Sequence, residues 1–172
     1  TPFKETIKLE SDILFTTSID HWWTGLRHRE VCFTSQVRDY QGQVSGARRY
    51  RRVFDENGLP DIYNGLYYFR FGQVSMHLFE LAEAITANWS VFRDDVLTNC
   101  REDLPSTDLI FAVAALLLGP EQCTIPALEY PSFVHMKSAI NNLAESTDWR
   151  TELLTQLDGV QLSIGFTRQQ WP

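Results

Sequence analysis

The chain has few cysteines, and they lack the spacing of a zinc site or a disulfide framework. Its three cysteines, Cys32, Cys100 and Cys123, are odd in number and lie far apart, without a CxxC motif. No signal peptide is visible in the given sequence, and no apolar run reaches the ~18 residues that a membrane helix needs. These absences predict reduced thiols, a cytoplasmic location and no membrane partner.

Two familiar catalytic signatures are missing as well. The sequence contains neither the GxSxG motif of serine hydrolases nor a glycine-rich loop that could cradle phosphates. Positive charge is scarce, because 15 basic residues face 22 acidic ones and the net charge is −7. Sequence-independent nucleic-acid binding needs a basic footprint, so the whole chain is a poor candidate for it.

One segment runs against this acidic balance. Residues 38–64 are interrupted by glycines and a proline, and they contain a basic cluster at residues 48–52. Its members are Arg48, Arg49, Tyr50, Arg51 and Arg52. Arginine pairs with phosphates and tyrosine stacks on bases, so this loop could bind a nucleic acid or another anion. The alternative is a solvated loop whose charge is balanced by the acids that follow it.

The apolar pattern predicts one α/β domain over residues 1–172, because strand-like segments alternate with helical periodicity. The predicted strands are 5–9, 31–34, 66–71, 123–125 and 160–166, with a short apolar stretch at 133–135. The predicted helices are a short one at 19–23 and longer ones at 74–96, 109–118 and 149–157, with the helix at 109–118 preceded by a capping Ser106. Aromatic residues make up 13% of the chain, and they fit either a core or sugar-stacking surfaces.

An acid pair follows the first predicted strand. Glu10 and Asp12 are two positions apart, so on a strand both side chains point the same way and can reach one ion. Mn²⁺ and Mg²⁺ take oxygen ligands and share their coordination shell with substrate phosphates. The competing interpretation is a pair of solvated acids at the end of a strand.

Four segments in order resemble GT-A glycosyltransferases, especially the glycogenin-like families. The first reads KLESDILF and continues SIDHWW at residues 18–23, which is similar to the metal-binding strand and the short helix after it. The others are YNGLYYFR at residues 63–70, STD at residues 106–108 and PSFVHMK at residues 131–137. The chain is also similar to glycosyltransferases encoded by large tailed phages, which implies a host cytoplasmic location.

The resemblance implies a three-layer α/β/α mixed sheet, present in part, and a metal-dependent hexosyltransferase. It implies Mn²⁺ or Mg²⁺ as the cofactor, a UDP-hexose as the donor and an unknown hydroxyl acceptor, for which an anionic molecule is one candidate. The implied metal ligands are Glu10, Asp12 and His135. The implied catalytic residues are Asp108, beside the transferred sugar, and Asn64, and the implied donor or acceptor contacts are Gly65 and Lys137.

The chain departs from the family pattern in several places. Glu10 replaces the usual aspartate, Leu109 follows Asp108 where a glutamine often lies, and Met136 follows His135 where a glycine is usual. Members of the family bind the nucleotide through a segment before the metal-binding strand, and only nine residues precede Glu10 here. We therefore expect the central and C-terminal part of such a domain.

Several alternatives stay open. The chain could be an inactive, truncated binding module, a nucleic-acid-binding domain or a Mg²⁺-dependent phosphoryl-transfer enzyme. His135 on an apolar strand could be a core histidine instead of a ligand. An uncovered sheet edge could also pair with a second copy of the chain.

Overall fold

The computed structural model describes residues 3–16, 18–45, 51–126, 133–144 and 148–157. The strands are β1 (Glu5–Leu9), β2 (Ile13–Phe15), β3 (Val31–Ser35), β4 (Ile62–Arg70), β5 (Thr124–Pro126) and β6 (Phe133–His135). The helices are α1 (Asp20–Leu26), α2 (Arg52–Glu56), α3 (Gln73–Ala87), α4 (Trp89–Val91), a π-helix (Phe92–Val96), α5 (Thr107–Leu118), α6 (Pro120–Cys123) and α7 (Trp149–Leu157). The strand predicted at 160–166 lies outside the described residues.

Six strands form two sheets in the described part of the chain. The larger sheet has the order β1-β4-β3-β5, in which β4 runs antiparallel to both of its neighbours and β3 runs parallel to β5. The smaller sheet pairs β2 with β6 in antiparallel fashion. The α/β class predicted from the alternation of elements is therefore confirmed.

Both faces of the larger sheet are covered, and β3 shows why. Its side chains alternate between the faces. Val31 and Phe33 join the core formed with α3 and α5. Cys32 instead joins the core formed with Trp22 of α1 and Phe133 of β6. A strand buried on both faces reads as a continuous apolar run, and residues 31–33 of β3 form such a run.

Helix α5 begins and ends at sequence signals. The Ser106 hydroxyl accepts a hydrogen bond from the Leu109 N–H at 3.3 Å, and this N-cap satisfies one of the first free amides. The helix ends at Gly119, whose φ of 106° lies in the region that favours glycine. The prediction of a capped helix here is confirmed.

Residues 74–96 are helical as predicted, but they do not form one continuous helix. Helix α3 ends at Ala87, and α4 and the π-helix follow it. Asn88 turns its side-chain amide back to donate to the Ala84 carbonyl at 2.8 Å. The Asn88 N–H donates to the same carbonyl at 3.1 Å, so the Ala84 carbonyl accepts two hydrogen bonds where the regular α-helix ends.

The acid pair does not lie on a strand. Strand β1 ends at Leu9 beside β4, and β2 begins at Ile13 beside β6, so residues 10–12 form the turn between the two sheets. The strand-based reason for bringing Glu10 and Asp12 together is therefore wrong. We call residues 10–12 the acid turn.

No helix in the described ranges is long and apolar enough to cross a membrane. Among the described residues, β1 is an edge strand of the larger sheet. Pairing of a second copy along a sheet edge stays a prediction.

Candidate metal and donor site

The backbone holds the acid turn between the two sheets. The Glu10 N–H donates to the Gly65 carbonyl of β4 at 2.8 Å. The Met136 N–H, just after β6, donates to the Asp12 carbonyl at 2.6 Å. The first acid is therefore fixed to the larger sheet and the second to the smaller one.

Lys137 places its ammonium between the two acids. Its Nζ lies 2.6 Å from Glu10 Oε2 and 3.5 Å from Asp12 Oδ2. Burial acts to lower the pKa of Lys137, but its hydrogen bonds to Glu10 and Tyr63 outweigh burial and raise it. For Glu10 the balance is reversed, because burial acts to raise the pKa while the Lys137 contact lowers it. The pair is therefore held fully charged.

Tyr63 is a site residue that the sequence analysis missed. Its hydroxyl donates to Glu10 Oε2 at 3.1 Å and accepts a hydrogen bond from Lys137 Nζ. Burial raises the pKa of Tyr63, so the hydroxyl keeps its proton and can donate it. Tyr63 lies two positions before Gly65, and residues two apart on a strand share a face. The predicted role of Gly65 could therefore have pointed to Tyr63 as well.

His135 is buried beside this group. Its side chain is 1% exposed, and its ring packs edge-on against Tyr63 and Phe133 at centroid distances of 4.8 and 5.2 Å. Neither ring nitrogen has a hydrogen-bond partner among the described residues. Burial, with the charge of Lys137, lowers the pKa of His135 to about 4, so the ring is neutral at pH 7.

The predicted ligands are near one another but do not form a ready metal cage. In the described parts of the chain, no group of three or more His, Cys, Asp or Glu side chains is placed to hold a metal ion. Two observations nevertheless fit a cation. Asp12 Oδ1 is buried without a described hydrogen-bond partner, as are both nitrogens of His135. The acid pair also already holds one positive charge, the ammonium of Lys137.

Asn64 and Asp108 meet beside the acid turn. The Asn64 N–H donates to Asp108 Oδ1 at 2.6 Å, and the Asn64 side-chain amide donates to the Thr107 hydroxyl at 2.9 Å. Asn64 Oδ1 is buried and has no described partner. Lys8 joins this group by donating from Nζ to the Asn64 carbonyl at 2.8 Å. The N-terminal turn of α5 is thereby tied to β4.

An irregularity in β4 shapes this region. The pairing with β3 passes from Phe33 opposite Tyr67 to Thr34 opposite Tyr63, so one step on β3 spans four on β4. The extra residues include Asn64 and Gly65. Strand bulges of this kind redirect side chains and recur beside functional sites.

Arg51 is the second residue that the sequence analysis misjudged. Its side chain is 2% exposed, and it pairs with Asp61 and with Asp108, whose Oδ2 lies 3.1 Å from Nη2. It also donates to the Ile62 carbonyl. Arg51 is therefore a buried internal counterion and does not offer its charge to a nucleic acid. Arg52 is exposed and pairs with Glu56, while residues 48–50 lie outside the described part.

A separate groove of about 500 Å³ lies between β4 and α3. Its lining includes Tyr67, Phe69, Phe71, Met76 and Phe79. None of the predicted site residues contributes to it. The site at the acid turn is therefore identified by its chemistry and not by the depth of a cavity.

Comparisons with protein-family models, with curated proteins and with solved structures give no match to the chain. The functional argument for this molecule therefore rests on its own residues and their contacts.

Proposed function

We propose that the chain transfers a hexose from a nucleotide-sugar donor to a hydroxyl acceptor and that it uses Mn²⁺ or Mg²⁺. The observation that carries the proposal is the meeting of Glu10, Asp12, His135 and Lys137 at the junction of the two sheets. Lys137 and Glu10 are 127 residues apart in sequence, yet their charged atoms are 2.6 Å apart. The resemblance of the acid turn and the PSFVHMK segment to GT-A glycosyltransferases supports the same site.

Glu10, Asp12 and His135 are the residues that would hold the cation. Carboxylate oxygens and a neutral imidazole nitrogen suit Mn²⁺, and the unpartnered atoms of Asp12 and His135 are available to it. A bound divalent cation neutralises the negative charge that develops on the departing nucleotide diphosphate. Once the Lys137 ammonium leaves the acid pair, it would supply a second positive charge to that diphosphate.

Asp108 and Asn64 would orient the sugar side of the site. The Asp108 oxygens already accept from Asn64 and Arg51, so Asp108 acts on the substrate mainly by fixing the position of Asn64. Asn64 Oδ1 is buried without a described partner, and it would be the acceptor for a substrate hydroxyl. The described site offers positioning and electrostatic stabilisation, which suits a reaction without an activated serine or cysteine nucleophile.

Calorimetry with Mn²⁺ and UDP-glucose tests the proposal. Wild type should bind the pair, and Asp12→Ala should lose binding by at least about tenfold because one charged ligand is gone. Asp103→Ala is the matched control, since it removes the same charge from a side chain that is 96% exposed and pairs with Arg93. Equal binding by wild type and Asp12→Ala would contradict the assigned site.

Competition separates glycosyl transfer from phosphoryl transfer at the same acids. A nucleotide-sugar site should be blocked by UDP and left open by inorganic phosphate, because the nucleoside contributes to recognition. Equal competition by both would favour the phosphoryl-transfer alternative.

A further inference from the structure

The acid turn already contains a bound cation of its own, the side chain of Lys137. One ammonium contacts both carboxylates, at 2.6 Å for Glu10 and 3.5 Å for Asp12. Two carboxylates that share a site repel each other unless a positive charge lies between them. The position of Lys137 Nζ is therefore where a metal ion bound by the same two oxygens would compete with it.

We propose that Lys137 is an internal counterion that occupies the cation position of the acid turn and must withdraw before a divalent cation can bind. The inference rests on the proposed function, because it concerns the same site, but it makes a different measurable claim. The claim is competition between a side chain and a metal ion for Glu10 and Asp12.

The surroundings of Lys137 allow this exchange. Its backbone segment is fixed, because the Met136 N–H donates to the Asp12 carbonyl and the Asn141 side chain donates to the Lys137 carbonyl at 2.8 Å. Its side chain is 36% exposed, so the flexible stem can swing toward solvent without unpacking a core. Only the ammonium group needs to move.

Tyr63 sets how firmly the ammonium is held. Its hydroxyl contacts both Lys137 Nζ and Glu10 Oε2, and Lys137 Nζ lies 5.1 Å from the centroid of its ring. Tyr63 is therefore a positioning residue that stabilises the closed, lysine-bound state. Removing only its hydroxyl should weaken the lysine as a competitor and leave the ring against His135.

The exchange couples two binding events. Once displaced, Lys137 carries a free positive charge beside the cation, where the diphosphate of the donor would lie. Substitution of Lys137 should therefore have opposite effects on the two ligands. Metal alone should bind more tightly because its competitor is gone, and the nucleotide should bind more weakly because one positive charge is missing.

The test compares Mn²⁺ binding, measured by calorimetry without nucleotide, in wild type, Lys137→Met and Tyr63→Phe. We expect Lys137→Met to tighten Mn²⁺ binding about fivefold, because one partly exposed ion pair no longer competes, and Tyr63→Phe to tighten it less. Lys4→Met is the matched control, because it removes the same charge from an exposed residue outside the candidate site. Its Mn²⁺ affinity should change less than about twofold, because screened charges act weakly at a distance.

UDP binding to the Mn²⁺-saturated proteins completes the experiment. Lys137→Met should weaken UDP about tenfold, as expected for the loss of one phosphate contact. Unchanged or weaker Mn²⁺ binding by both Lys137→Met and Tyr63→Phe would overturn the inference and leave the metal site intact. Absence of Mn²⁺ binding by every protein would overturn the proposed function itself, and the inference with it.

Discussion

At the scale of single residues, the structure shows buried charge paired with specific partners. Arg51 is the clearest case, since its guanidinium joins Asp61, Asp108 and the Ile62 carbonyl. Sequence alone places it in a run of arginines and predicts solvent exposure. The run could not reveal that one member turns inward, because its partners lie up to 57 residues away.

Arg51→Met should destabilise the protein by about 3–5 kcal/mol, because it leaves two carboxylates without their buried counterion. Arg52→Met is the control one residue away, with a side chain that is 74% exposed and a single pair to Glu56. It should cost about 0.5 kcal/mol or less. Urea unfolding at pH 7 measures both, and similar midpoints for the two variants would contradict the buried network.

The three cysteines should differ in reactivity. Cys32 and Cys123 are fully buried, and burial raises the pKa of their thiols to about 12 and about 11. Cys100 is partly exposed. Because the thiolate is the reactive form, an aromatic disulfide reagent at pH 8 should titrate one thiol quickly in the native protein and three in urea. Rapid reaction of all three in the native state would contradict the burial of Cys32 and Cys123.

At the scale of elements, β4 joins the core to the site. Its C-terminal part pairs regularly with β1 and β3, and its N-terminal part carries the irregularity at residues 64–66. Gly65 lies there because the Tyr63 ring covers the space where its side chain would be. A Cβ at Gly65 would lie 2.8 Å from Tyr63 Cδ1 and closer still to Cε1.

Gly65→Ala should destabilise the protein by about 1–3 kcal/mol, because the Tyr63 ring must shift to admit the methyl group. In a Tyr63→Ala background the same change should cost about 0.5 kcal/mol or less, since the obstacle is gone. Urea unfolding of the four proteins gives the coupling energy between the two positions. Additive effects would show that the ring does not limit residue 65.

The element scale also shows what sequence could and could not predict. Strand β1 and helix α5 follow from apolar pattern and capping, which are local signals. The change of sheet at residues 10–12 does not follow from local signals. It depends on the pairing of β1 with β4 and of β2 with β6, which are distant in sequence. Glu10, Asp12, His135 and Lys137 are predicted from motif order, whereas Tyr63 is not, because its contacts with Glu10 and Lys137 exist only after β4 and β6 come together.

At the scale of the whole molecule, the site exists only when both sheets are assembled. Its residues come from β1 and the acid turn, β4, the start of α5 and the segment at the end of β6. His135 lies at the centre, with its ring 1% exposed and neutral. A charge change at this residue is therefore coupled to folding of the entire domain.

Acid should destabilise the metal-free protein through His135. The pKa of this residue is lowered from its ordinary value of 6.5 to about 4 in the folded state. A lowered pKa means that the unfolded chain binds the proton more readily, so the stabilisation is present above about pH 6.5 and is lost as the pH falls toward 4. Between pH 7 and pH 5 the free energy of unfolding should fall by about 2 kcal/mol from this residue.

The change in net charge on acidification acts in the opposite direction and raises the free energy of unfolding, so the effect of His135 must be measured against a variant. The chain carries −7 at pH 7 and has an isoelectric point near 5.0, so acidification reduces its self-repulsion. Urea unfolding with a chelator at pH 7 and pH 5 should therefore be compared between wild type and His135→Leu, which keeps an apolar side chain against Tyr63 and Phe133. All other titrating groups are common to both proteins. Wild type should lose about 2 kcal/mol more than His135→Leu over this range, and equal losses would mean that His135 takes up its proton in the folded protein and is not held neutral by its burial.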